Sequence, residues 1–192
     1  IVCISEHTRK DLVELFGIEK EKTSVVHLAY DNSVIVDDEL DNERPFLLYV
    51  GLREWYKNFK PFLKSISRSK SIMNDFDIIA FGGGVFTLEE LKLMRKLGFR
   101  EGQVRQISGS DKLLAKYYSQ ARAFIFPSLY EGFGLPPLEA MSYNCPVISS
   151  NASCMPEVVG DAAEYFDPNS LDEMLESVEK TVYSDSRINE LV

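Results

Sequence analysis

Residues 123–141 read AFIFPSLYEGFGLPPLEAM, and this stretch sets the fold. A short apolar run bounded by turn residues is the pattern of a strand buried on both faces. Pro136 and Pro137 can enter a helix only in its first turn, where no backbone donor is missed. The stretch is therefore a strand, an elbow and a helix. Gly132 and Gly134 let the chain turn sharply and let a ligand approach the main chain. The amides of Phe133, Gly134 and Leu135 then stand free at a helix N-terminus, which is an anion site. Glu131 precedes the turn and Glu139 lies about one turn into the helix, so both carboxylates can face one cleft from different levels.

The same alternation extends outward in both directions. IVCIS, TSVVHLAY, FLLYVG, FDIIAFGGG, VRQIS, PVISS and AEYF read as strands. Between them, EHTRKDLVELFG reads as a helix stopped by Gly17, and KPFLKSISRSKSI as one with Pro61 in its first turn. TLEELKLMRKLGF and SLDEMLESVEKTVY carry capping-box spacing at Thr87/Glu90 and Ser170/Glu173. DKLLAKYYSQA, PPLEAMSY with Asn144 as a left-handed stop, and a short turn of helix at MPEVVG complete the set. Apolar strands alternating with helices predict an α/β domain, a Rossmann-like parallel sheet with helices on both faces. Ligands of such sheets bind at the carboxyl ends of the strands. The segments to watch are Gly51 to Lys57, Gly82 to Gly84, Ser108 to Asp111 and Ser128 to Leu135. The acidic, turn-rich residues 31–45 read as a linker between residues 1–30 and a domain over 46–192.

Composition narrows the function. The chain has 192 residues, 45% of them hydrophobic and 11% aromatic, which supports a packed core. A net charge of −9 argues against a nucleic-acid partner, which needs a basic face. The three cysteines, Cys3, Cys145 and Cys154, show no metal-ligand spacing and suit a reducing compartment. No metal cluster is expected, and no apolar run is long enough to span a bilayer. His7 and His27 stand in isolation and read as structural. The first residue is not Met and the last ones carry no stop, so the chain reads as part of a longer protein.

EGFGLPPLEAM resembles the glutamate-x7-glutamate motif of retaining glycosyltransferases of the GT-B fold, family 4. SEHTRKDL, LLYVGLREWYKNF, AFGGGVFTLEE, LAKYYSQARAFIFPSLYEGFGLPPLEAM and CPVISSNASCMPEVVGDAAEYFDP are similar to segments of the same family, so the resemblance covers nearly the whole chain. It implies the C-terminal half of a GT-B fold, the half that holds the donor. It implies transfer of a hexose, mannose or glucose, from a nucleoside-diphosphate sugar to a glycan or lipid-linked acceptor with retention. It implies no cofactor and no metal in the site.

By resemblance, Lys57 and Arg53 bind the diphosphate, although the commoner pattern places the Arg one position earlier, at Leu52. Glu131 contacts the transferred sugar, and Glu139 accepts from ribose hydroxyls. Gly51 and Gly83 lie against the donor, while Ser108 and Asp111 flank the base. The acceptor belongs to an upstream domain, of which residues 1–30 are the end, and the family's final helix is expected beyond this chain. A cytoplasmic location follows, with peripheral contact at the inner face of the membrane for the full-length protein. Rivals that share the nucleotide site are a GT-B sugar-nucleotide epimerase or a glycogen-type enzyme, which the YEGFGLPPLEAM string fits less well, and a non-catalytic sugar-nucleotide-binding module. A nicotinamide site at FGGG fails on spacing, because Thr87 stands where the third glycine is needed.

Overall fold

The strands of the main sheet are apolar at successive positions because the sheet is covered on both faces. The computed structural model describes residues 1–30, 34, 36, 40 and 44–192. Its elements are β1 (Val2–Cys3), α1 (Glu6–Phe16), β2 (Ser24–Val25), β3 (Phe46–Val50), α2 (Phe59–Ile66), α3 (Lys70–Asp75), β4 (Asp77–Phe81), α4 (Leu88–Lys96), β5 (Val104–Ile107), α5 (Asp111–Gln120), β6 (Ala123–Phe126), α6 (Leu135–Ser142), β7 (Val147–Ser150), α7 (Met155–Val159), β8 (Ala163–Phe166), α8 (Leu171–Val182) and α9 (Asp185–Leu191). Six strands form one all-parallel sheet in the order β5-β4-β3-β6-β7-β8, as expected for a Rossmann-like fold. A separate parallel pair joins β1 to β2.

Alternation along each strand sorts the core into two layers. Leu47, Tyr49, Ile78, Ala80, Ala123 and Ile125 pack under α2, α3, α4 and α8. Phe46, Leu48, Ile79, Phe124, Phe126 and Val147 pack under α5, α6 and α7. Each large side chain so buried contributes about 1.5–3 kcal/mol. Leu48 is fully buried in the β3–β6 register, so Leu48→Ala would cost about 2–5 kcal/mol.

The strand order reverses between β3 and β6. In an open parallel sheet this switch point leaves a crevice at the carboxyl edge, where ligands bind. The β3–α2 loop and the β6–α6 elbow flank it, which is why the sequence places its candidate residues there.

Several elements differ from the sequence reading. The helix expected over KPFLKSISRSKSI is two helices, because the Ser69 hydroxyl caps α3 by accepting from the Ile72 amide. Helix α9 was not expected; Ser184 caps it by accepting from Arg187 N–H. The capping box at Thr87 and Glu90 is reciprocal, whereas at Ser170 only half forms: Ser170 Oγ accepts from Glu173 N–H, but the Glu173 carboxylate accepts from Asp167 N–H instead of Ser170 N–H. Gly17 and Asn144 are left-handed, as their positions predict. Most of the predicted linker over 31–45 lies outside the described residues.

Candidate functional site

The elbow is held from behind, so that its donors face forward. Ser5 Oγ and Thr8 Oγ1 of the α1 N-terminus donate to the Gly132 carbonyl at 2.7 and 3.1 Å. Cys154 Sγ lies 3.2 Å from both the Glu131 and Phe133 carbonyls. The Glu131 amide donates to Ser153 Oγ at 3.0 Å. The amides of Phe133, Gly134 and Leu135 donate to no group among the described residues, and the α6 N-terminus has no side-chain cap. Pro136 and Pro137 have no N–H to offer. The three remaining amides sit at the positive end of α6, where an anion is stabilised. Glycine is required at 134: its φ is 91°, and a Cβ there would lie 2.4 Å from Met155 Cε.

Lys57 faces this elbow across the switch point. It closes a single 3-10 turn, Trp55–Lys57, which ends in left-handed Asn58. Leu129 N–H donates to the Tyr56 carbonyl at 2.7 Å, tying this turn to the elbow. Lys57 Nζ lies 2.7 Å from Glu131 Oε1, with both side chains largely buried. The sequence-predicted phosphate lysine and the sugar-contacting glutamate are thus brought together.

Arg53 is not. Its guanidinium points away from the crevice into a closed set of partners. Nε donates to Glu90 Oε1 at 2.7 Å, and the terminal nitrogens donate to the carbonyls of Gly82, Gly84 and Val85 at 3.2, 2.9 and 3.0 Å. Arg53 also lies 4.7 Å over the Phe86 ring, and its side chain is 4% exposed. In this arrangement Arg53 is not bonded to the Lys57–Glu131 pair but holds the glycine turn after β4, and the diphosphate contact that the sequence suggests for it would require it to leave these partners. Gly83 fits directly against it, since a Cβ there would meet Arg53 Nη1 at 2.6 Å and the Gly51 carbonyl at 2.8 Å. Gly51 itself is left-handed and donates its N–H to the Phe81 carbonyl at 2.9 Å. Glu90, read in sequence only as a helix cap, also carries the charge that fixes Arg53. Burial pushes its carboxyl up, but the bonds from Arg53 and Thr87 outweigh this and leave it below the ordinary range.

Glu139 occupies different surroundings. It lines a cavity of about 220 Å³ with Tyr30, Asp111, Leu114 and Tyr118. Tyr118 OH donates to Glu139 Oε2 at 3.1 Å. Burial raises the Glu139 carboxyl above its ordinary value; the Tyr118 bond opposes that rise and the Asp111 carboxylate adds to it. Glu131 and Glu139 have different partners, Lys57 for the first and Tyr118 for the second, and only Glu139 lines this cavity. Asp111 stands at the start of α5 beside Glu139, whereas the Ser108 hydroxyl accepts from Gln106 Nε2 at 2.6 Å. A larger cavity of about 400 Å³ lies between α4 and β5 and holds none of the predicted residues.

Sequence reasoning missed the supporting groups. Glu157 accepts from the Glu6 and His7 amides at 2.7 and 3.2 Å and meets His27 Nε2 at 2.7 Å, anchoring α1 behind the elbow. Cys154 is a carbonyl donor rather than a nucleophile, since burial pushes its thiol up to about 11. Among the described residues no cluster of three His, Cys, Asp or Glu side chains is arranged for a metal ion, and no helix is long and apolar enough to cross a membrane.

Residues 34–190 match the family described as glycosyl transferases group 1. The chain belongs to that family. Among group 1 relatives, O-antigen chain mannosyltransferase B of Escherichia coli is 30% identical over 198 residues, covering 97% of this chain and 52% of that protein. The serotype-specific mannosyltransferase WbdA of E. coli is 38% identical over 207 residues, all of this chain and 25% of that protein. O-antigen chain mannosyltransferase RfbU of Salmonella typhimurium is 26% identical over the whole chain and 54% of its own length. The chain thus spans about half, or less, of the curated relatives it matches. Among solved structures, sucrose-phosphate synthase of Thermosynechococcus elongatus superimposes with a TM-score of 0.84 at 18% identity, over 99% of this chain and 50% of that one. WaaG, a glycosyltransferase of lipopolysaccharide biosynthesis, gives 0.83 at 16% over 99% of this chain and 55% of that one. At such identities these likenesses speak for the fold, which is the Rossmann-like half of a GT-B architecture.

Proposed function

We propose that this chain is the donor-binding, C-terminal half of a retaining glycosyltransferase that moves a mannosyl group from a nucleoside-diphosphate sugar to a glycan or lipid-linked acceptor. The observation that carries the reading is the group at the switch point, where Lys57 pairs with Glu131 and three amides of the same elbow have no acceptor among the described residues. Mannose is preferred because the relatives named above are mannosyltransferases. The domain division proposed is residues 1–30 as the end of an upstream domain, 31–45 as linker and 46–192 as the donor domain. The upstream domain would bring the acceptor, in the cytoplasm at the inner face of the membrane.

The leaving group of such a transfer is a nucleoside diphosphate, which gains charge as the glycosidic bond breaks. The amides of Phe133, Gly134 and Leu135 are fixed in place before reaction, so they stabilise that charge without reorganisation, and Lys57 adds its charge once the diphosphate is bound. Binding of the diphosphate draws Lys57 from Glu131, whose carboxylate then turns to the hydroxyls of the transferred sugar. Glu139, in its adjoining cavity, accepts from the ribose diol. No metal is invoked, because Lys57 and the helix terminus supply the positive field.

The test is calorimetric titration of the full-length protein with GDP, UDP, ADP and their mannose or glucose derivatives, followed by assay of transfer. The expected result is binding of one nucleoside diphosphate and transfer of its sugar. Absence of binding to any of them would overturn the reading. Binding with epimerisation, or with no transfer to any acceptor, would favour the epimerase or the binding module.

A further inference from the structure

The chain's one tryptophan, Trp55, is its most exposed large aromatic, with 83% of its surface in solvent. It stands on the turn that carries Lys57. Its ring lies 6.1 Å from that of Tyr56, and Lys57 Nζ lies 5.4 Å from the same Tyr56 ring. Those two steps bound the distance from the indole to the ammonium that pairs with Glu131. Beside Trp55 is a cavity of about 340 Å³, lined also by Arg53, Glu54, Phe59, Lys60, Pro61 and Lys64. The Glu54 carboxylate and the Lys64 ammonium make no side-chain bond among the described residues, and Lys60 reaches only the exposed Glu89 at 3.4 Å.

An aromatic ring beside the unpaired Glu54 carboxylate, the unpaired Lys64 ammonium and the Glu89-paired Lys60 has a recognisable ligand chemistry. A pyranose presents a C–H face to an aromatic ring and hydroxyls at its rim, and an aromatic body with polar neighbours matches both. A cavity of this size falls in the range of small-ligand sites. An apolar peptide would leave Glu54, Lys60 and Lys64 unmatched, and an anion would gain nothing from the indole. The cavity beside Trp55 has no lining residue in common with the Glu139 cavity, to which the nucleoside is assigned, and the Trp55 side chain makes no bond to the elbow among the described residues.

We propose that Trp55, with Glu54 and Lys64, is a sugar-binding subsite for the acceptor glycan, so that the donor half itself helps to seat the acceptor chain. The proposal rests on the glycosyl-transfer reading above and adds to it a ligand contact outside the donor site.

The test compares wild-type full-length protein with Trp55→Phe and Trp55→Ala. The emission difference between wild type and Trp55→Phe isolates this ring whatever other tryptophans the protein carries. α-Mannotriose, maltotriose and cellotriose are titrated as probes, and the nucleoside diphosphate found above is titrated separately. A saturable change in the difference emission is expected with at least one trisaccharide. Trp55→Ala should weaken that trisaccharide about tenfold, while Trp55→Phe, which keeps a ring, should stay within about threefold. Nucleoside-diphosphate affinity should be the same in all three proteins. The proposal is overturned if no trisaccharide changes the emission, if Trp55→Ala binds the trisaccharide as well as wild type, or if the difference emission of the free protein is that of a shielded indole, since the upstream domain would then cover the ring. Failure of nucleoside-diphosphate binding in wild type would instead sink the transferase reading, so the two failures are distinct.

Discussion

Glu90→Gln is the sharpest probe of how the glycine turn is held. Glutamine keeps the shape of the side chain and can still cap Thr87, so the change removes charge while sparing the helix start. Arg53 and Glu90 are 4% and 5% exposed and meet at 2.7 Å. Breaking a buried pair from one side leaves an uncompensated charge, worth about 3–5 kcal/mol. In a folding unit of this size each kcal/mol moves the melting temperature by about 2–4 °C, so a drop of roughly 6–20 °C is expected. Arg53→Met should lose at least as much, because it also strips a donor from the carbonyls of Gly82, Gly84 and Val85. The double variant should be clearly less damaged than the two losses added together, since neither charge is then buried alone. The same pair gives a pH signature. The Glu90 carboxyl is lowered in the folded chain, so its contribution is complete above the unfolded carboxylate range and is lost as pH falls below about 4. Urea or thermal denaturation of the four proteins across pH 3–7 measures all of this. Additive losses, or single variants within about 1 kcal/mol of wild type, would refute the claim that Arg53 is committed to Glu90 rather than held free for a phosphate.

Lys57→Ala should weaken nucleoside-diphosphate binding about tenfold or more, with nucleoside affinity unchanged, because a charge-assisted contact is worth about 1.5–3 kcal/mol; equal losses in calorimetry would remove Lys57 from the phosphates. Glu139→Gln should weaken ribonucleotides and narrow the preference over 2′-deoxy forms, whereas Glu131→Gln should leave nucleoside-diphosphate affinity nearly intact and reduce transfer; the reverse pattern would exchange the two assignments. Tyr118→Phe removes the bond that holds the Glu139 carboxyl down, so the acid limb of nucleoside-diphosphate binding should move to higher pH, and an unmoved limb would mean that Glu139 does not bind as a carboxylate. Gly134→Ala should cost about 1–3 kcal/mol of stability, since the flexible Met155 tip can yield but the left-handed backbone strain remains; a neutral result in denaturation would mean that the elbow relaxes. Treatment of the full-length enzyme with EDTA should leave transfer unchanged, and loss restored by a divalent cation would put a metal in the site.

The sheet was legible because each strand announces itself locally. FLLYV and AFIF are apolar throughout, as strands covered on both faces are, and their alternation with helices makes the sheet parallel. The elbow was legible because two glycines permit the sharp turn and two prolines fix where the helix begins. The errors arose where a long-range partner decides. Arg53 is a loop arginine in sequence, and nothing local says that Glu90, 37 positions on, will claim it. The carboxylate that seats α1 is Glu157, 151 positions from the Glu6 amide it accepts from. The α2–α3 break turned on one hydroxyl, Ser69, among several serines with equal local claims to a cap.

The two glutamates of the opening stretch show how one turn of chain can make two chemically different carboxylates. Glu131 comes before the elbow, on the strand side, where the β3 loop can reach it; Lys57 does so at 2.7 Å, and the helix terminus adds its positive end. A diphosphate entering the proposed site would also seek Lys57, so it would compete with Glu131 for that ammonium and leave the carboxylate open to a sugar hydroxyl. Glu139 comes after the elbow, where α6 has turned toward α5. It meets one hydroxyl donor, Tyr118, and otherwise a cavity with the acidic Asp111 on its wall. Its carboxylate retains acceptor capacity that the protein does not fill. A carboxylate raised by burial and short of donors gains most from a neutral ligand that brings two hydroxyls, and least from another anion. The elbow amides lie between the two residues in the chain. A ligand with a diol at one end, phosphates in the middle and a sugar at the other would satisfy all three places in the order in which the sequence presents them.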